Sequence, residues 1–175
     1  MAKTAKRIVL IALMTACLTV VKQVLAVIPN VEGVSLLIAV FSATFGYMSI
    51  ISSILFVVIE CFIWGLNTWV IGYFIYWPLL AIVFCLLSRA NPNTLLATIT
   101  IVVMTFLFGV ITSLVEVGLF SGSYDDFFTR FFIYYGRGVV FYIVHIVSNG
   151  IVFALLFERL RSFAIKLNSK YMTPN

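Results

Sequence analysis

Three observations predict an all-α membrane protein, a bundle of six transmembrane helices. Of 175 residues, 63% are hydrophobic and 10% are charged, against about 45–50% apolar and about 25% charged in an ordinary soluble domain. The apolar residues gather into runs near the roughly 20 residues that cross a hydrocarbon layer, separated by short turn signals. Basic residues collect at the two ends of the chain. A soluble fold of this size leaves much of its chain exposed, so the excess apolar surface requires lipid as its solvent. The length accommodates about six spans with short connections, and residues 1–175 are read as a single transmembrane domain.

Span one runs from about Ile8 to Val27 and stops at Pro29-Asn30, a turn signal. Lys3 to Arg7 followed by Ile8–Val21 have the layout of a signal peptide. Lys22 interrupts that layout before a small-residue cleavage site, so the first helix is read as retained. Span two is short, about Val34–Phe45, and ends at Gly46-Tyr47. Span three, about Ser49–Trp64, ends at Gly65-Leu66-Asn67. Span four, about Thr68–Leu87, contains Pro78, which spanning helices tolerate when neighbours satisfy the freed carbonyl. The polar run Ser88 to Asn93 follows it. Span five covers about Leu95–Phe120, and the loop Ser121 to Asp126 leads to span six, from near Phe131 past Phe157 into a basic tail.

Charge placement sets the orientation. Lys3, Lys6 and Arg7, then Arg89, then Arg159, Arg161, Lys166 and Lys170 make eight of the eleven basic residues. With an even number of spans all eight lie on one side, which the positive-inside rule assigns to the cytoplasm. The expected topology is N-in/C-in. Lys22, Arg130 and Arg137 fall on the other side, with Glu32, Asp125 and Asp126. No aromatic-interleaved basic stripe suits a nucleic-acid groove, so the +5 net charge is read as topological and no nucleic acid is expected. Cys17, Cys61 and Cys85 sit in apolar runs without metal spacing and are read as small hydrophobes. Neither metal nor cofactor is expected.

Polar side chains at membrane depth are costly and face a cavity or a partner. Here they crowd the outer half of the bundle. Glu60, Trp64 and Asn67 are spaced i, i+4, i+7 and are expected to share one face of span three. Trp69, Tyr73 and Tyr76 do the same on span four, beside Trp77. Glu116 lies near the end of span five. Gly138, Tyr142, His145 and Asn149 form a stripe on span six, which also carries Tyr134, Tyr135 and Arg137. Converging rings with a few placed polar groups suit a mostly apolar pocket for a flat, nitrogen-containing molecule. Plainer readings stand beside this one. Trp69, Tyr134 and Tyr135 fit an aromatic belt, Glu60 and Glu116 fit structural pairs with Arg137, and His145 fits a packed, hydrogen-bonded core residue. On span one, Ala12 and Ala16 make a small-xxx-small patch on which a helix can lie closely, whether that helix is a neighbouring span or a partner.

With these residues in view, the chain resembles the S components of energy-coupling factor (ECF) transporters. The resemblance rests on six spans, the basic N-terminus and the Ala12-to-Ala16 pair. Pro29-Asn30-Val31-Glu32 and the segment Phe141–Asn149 of span six are also similar to what that family carries. It implies a multi-pass protein of the bacterial plasma membrane that binds a vitamin from outside. Asn30 and Glu32 would belong to the substrate lid. Ala12 and Ala16 would dock on a transmembrane coupling subunit driven by two cytoplasmic ATPases, and the chain would topple in the lipid to release its cargo. The sequence carries no phosphate-binding G-x-x-x-x-G-K-[ST], so ATP hydrolysis would belong to those partners. Cobalamin is the first expectation for the vitamin, followed by a pyridoxine- or pyrimidine-type vitamin and a queuosine precursor.

Two other classes compete with this reading. A small membrane scaffold of the MreD cell-shape type needs no outer polar cluster. An enzyme is not expected: Ser113 and His145 lack the Gly-x-Ser-x-Gly setting of a nucleophile, and a single histidine is a poor basis for zinc chemistry.

Overall fold

Glycine and proline punctuation sets the helix ends in the computed structural model, which describes residues 2–29, 31–120 and 126–171. Six helices follow in order: α1 Ala2–Leu25, α2 Val34–Phe45, α3 Met48–Trp64, α4 Thr68–Arg89, α5 Thr94–Phe120 and α6 Phe127–Tyr171. Gly46 and Gly65 close α2 and α3 with φ of 60° and 78°, backbone that glycine adopts without a Cβ penalty. Pro92 stands just beyond α4, where no helix amide is needed.

Four of the six, α1, α4, α5 and α6, are long and apolar enough to cross a membrane. They mark the chain as a multi-pass membrane protein. Their outward faces agree: Phe62 is 86% exposed, Val140 71% and Leu155 65%, a distribution that water would not tolerate over so wide a surface. Of the six expected spans, these four reach that length. α2 has 12 residues and α3 has 17, short of the roughly 20 that span hydrocarbon. Protein covers much of α2. It packs on α1, α3, α4 and α6, and Val34, Ser35, Leu36, Ile38, Ala39, Val40 and Ser42 are all buried.

Direct contacts fix an up-and-down arrangement. Lys22 at the end of α1 bonds Tyr73 near the start of α4. Ser49 at the start of α3 meets Cys85 near the end of α4. Arg161 on the last third of α6 donates to Asn91 in the α4–α5 turn at 3.0 Å. One end of the bundle therefore carries Arg89, Arg161 and the first turns of α1. The other carries the α1–α2 loop, the α3–α4 turn and the start of α6. α6 has 45 residues and, at about 1.5 Å per residue, is roughly 68 Å long, about twice the hydrocarbon thickness of about 30 Å.

Small polar residues bring the inner helices close. Ser42 Oγ and Ser49 Oγ are 2.8 Å apart, and Ser52 and Ser53 hydroxyls donate back to their own helix at 3.0 and 2.8 Å. In lipid such side chains allow near approach without leaving a polar atom unmatched. Toward the charged end the core is sealed by hydrocarbon. Phe153 and Phe157 stack at 4.4 Å, and Phe84 packs on both.

Candidate functional site: an aromatic cavity at the uncharged end

The loop after α1 is drawn back over its own helix. A Cβ on Gly33 would lie 2.7 Å from Val21 Cγ1, so only glycine lets the chain lie this close. That return carries Glu32 inward. Its Oε2 accepts the Ser35 amide at 2.9 Å in the first turn of α2, where the helix dipole favours an anion. Its Oε1 accepts Asn149 Nδ2 at 3.0 Å and faces His145 Nε2 at 3.5 Å. Burial by itself pushes the Glu32 carboxyl up, but the hydrogen bond and charge of His145, with the Ser35 contacts, outweigh it and hold Glu32 at about 2.

Above this carboxylate is a cavity of about 380 Å³. One wall is a stripe on α4, where Trp69, Tyr73 and Trp77 follow at four-residue spacing with ring centroids 5.1 and 5.4 Å apart. Phe108 of α5 continues the wall, 5.9 Å from Tyr73 and 5.4 Å from His145. Lys22 enters from α1 with its Nζ 3.2 Å from Tyr73 Oη and 5.4 Å from that ring's centroid. Trp64, Phe141 and the loop residues Pro29 and Val31 complete the rim.

Of the residues expected from sequence, Glu32, Trp64, Trp69, Tyr73, Trp77 and His145 line this one cavity. The rest lie elsewhere. Asn30 is outside the described residues. Glu60 is fully buried and accepts Gln23 Nε2 at 3.1 Å, so its partner is on α1 and not Arg137. Asn67 does not continue the Glu60–Trp64 face: α3 ends at Trp64, and Asn67 starts α4, exposed, with its amide on Trp64 O at 2.8 Å. Glu116 and Arg137 border a separate hollow of about 300 Å³ with Arg130 and Tyr134. The expected α6 stripe is divided by rotation about the helix. His145 and Phe141 face the cavity. Tyr142 turns to α5, with its hydroxyl 3.4 Å from Ser113. Asn149 stands behind Glu32 and also donates to Thr105 at 3.1 Å. On α4 the cavity stripe runs through Trp77, while Tyr76 is buried in the core.

The chain matches no family model, no curated protein and no solved structure. The functional reading therefore rests on the cavity itself.

The cavity also takes in lining residues outside the candidate set, among them Lys22, Phe108 and Phe141. Lys22 had a signal, because a cation inside an apolar helix marks a site by default. The two phenylalanines had none, since they are indistinguishable in sequence from the lipid-facing ones. Ala12 and Ala16 are both exposed on α1. Ala16 borders an apolar groove of about 580 Å³ between α1, α2 and the distal part of α6.

Proposed function

We propose that this chain is the vitamin-binding S component of an ECF-type importer, with six spans and both ends in the cytoplasm. The observation that carries the reading is the convergence of Glu32, His145 and Lys22 with six aromatic side chains in one cavity at the end away from the basic termini. A few fixed polar groups in an apolar hollow are what a small-molecule site requires. Closure of the opposite end by Phe84, Phe153 and Phe157 supports a binding subunit over a channel. Release then requires motion of the whole chain against a partner. The subunit itself performs no chemical step; a coupling subunit and two ATPases supply the work.

The cavity also revises the order of candidate vitamins. A hollow of about 150 Å³ holds a benzene ring, so about 380 Å³ suits one or two rings with substituents. Cobalamin is far larger, and the pyridoxine- or pyrimidine-type vitamins and the queuosine precursor are favoured over it.

The three tryptophans of the chain all border the cavity, so intrinsic fluorescence reads the site directly. Titration of purified protein with a vitamin panel is expected to give a saturable change at sub-micromolar ligand. A panel with no such response would end the binding reading. Docking makes a separate forecast. Ala12→Trp or Ala16→Trp is expected to abolish uptake in reconstituted vesicles holding the whole transporter, while fluorescence titration stays within about twofold, a difference of roughly 0.4 kcal/mol. Equal loss of both would make the patch a folding element.

A further inference from the structure

The cavity holds opposite charges joined by a chain of aromatic contacts. Lys22 rests on Tyr73, Tyr73 packs on Phe108, Phe108 packs on His145, and His145 faces Glu32. The rings thus connect a cationic pole on α1 with an anionic pole on the α1–α2 loop. Among the described residues each pole has unused capacity. An ammonium offers three donors, and among the described residues Lys22 hydrogen-bonds Tyr73. A carboxylate offers about four lone-pair positions, and three donors address Glu32.

Two buried atoms strengthen the case. His145 Nδ1 and Trp77 Nε1, in side chains 5% and 2% exposed, have no hydrogen-bond partner among the described residues. Buried polar atoms without partners cost about 1–3 kcal/mol each, and both belong to residues lining the cavity. Their chemistry can be stated. With Glu32 as acceptor, His145 carries a proton on Nε2, which leaves Nδ1 as the ring nitrogen that meets a ligand. Glu32 presents an acceptor, and Lys22 and Trp77 present donors.

Taking the vitamin-binding reading as its basis, we infer that the ligand is amphoteric: an amino-substituted nitrogen heterocycle whose N–H edge meets Glu32, beside His145, and whose anionic arm meets Lys22. The ring lies along Tyr73, Trp77 and Phe108. A purely cationic ligand would leave Lys22 opposed, and a purely anionic one would be repelled by Glu32.

The probes are 2-aminopyrimidine-5-carboxylate, 2-aminopyrimidine and pyrimidine-5-carboxylate, titrated alongside the vitamin panel into wild type, Glu32→Gln and Lys22→Met. The expected result is that the first compound binds at least tenfold tighter than either truncated one. Glu32→Gln is expected to erase the advantage of the amino group and leave that of the carboxylate; Lys22→Met is expected to do the reverse. Because each variant keeps one preference, general misfolding cannot imitate the pattern. Unchanged preferences in both variants overturn the inference, as does a tight panel ligand lacking either an N–H edge or an anionic arm. In those cases vitamin binding itself still stands. Silence from every probe and every vitamin overturns both.

Discussion

Glu32→Ala is expected to be among the most damaging single substitutions outside the helices. The carboxylate joins three elements, through the Ser35 amide of α2 and the Asn149 and His145 side chains of α6. Removing it strands their donors in a site where Glu32 is only 11% exposed. Breaking a buried charged pair from one side costs about 3–5 kcal/mol. Asn149 keeps its bond to Thr105 and the cavity admits water, so the lower end, about 3 kcal/mol, is expected from thermal unfolding in detergent. Glu32→Gln keeps an acceptor for the same donors and is expected to lose about 1 kcal/mol. The pH dependence has a defined sign. Glu32 is held at about 2, below its ordinary 4.5, so its stabilising contribution is complete above about pH 4.5 and is lost as pH falls toward 2. Wild type and Glu32→Gln should therefore converge in stability as pH falls through that window. Curves that stay parallel would mean the carboxylate is not held as described.

Gly109→Leu is expected to disturb the α5–α6 interface, the most extensive in the bundle, by about 3 kcal/mol, at the upper end of overpacking costs. A Cβ at Gly109 would stand 2.9–3.0 Å from the Tyr142 ring, and a Cβ at Gly138 would stand 2.7 Å from its other edge. The ring fills the space that two glycines leave, and Tyr135 packs on it at 5.1 Å. It cannot retreat without opening the interface. The double variant Gly109→Leu with Tyr142→Ala should recover part of the loss, because the new side chain occupies the vacated volume. Simple additivity of the two losses would show that Gly109 and Tyr142 are not in contact.

Composition alone determined that lipid is the solvent, because 63% hydrophobic residues exceed what a core of this size can hide. Periodicity and glycine–proline punctuation located six helices to within a few residues, since those signals act locally along the chain. The clustering of rings toward one end was legible too: Trp64, Trp69, Tyr73 and Trp77 lie close in sequence around a single turn. What remained hidden was rotation. Tyr142 and His145 are three residues apart, within the spacing that shares a helix face, yet α5 claims one and the cavity the other. The same holds for Glu60, taken by Gln23, and for Lys22, recruited by Tyr73 across 51 positions of chain. Which side of an all-round apolar helix meets protein and which meets lipid is set by the fit of whole surfaces. No window of sequence contains that information, so only the assembled bundle joined Lys22, Phe108 and Glu32 around one hollow.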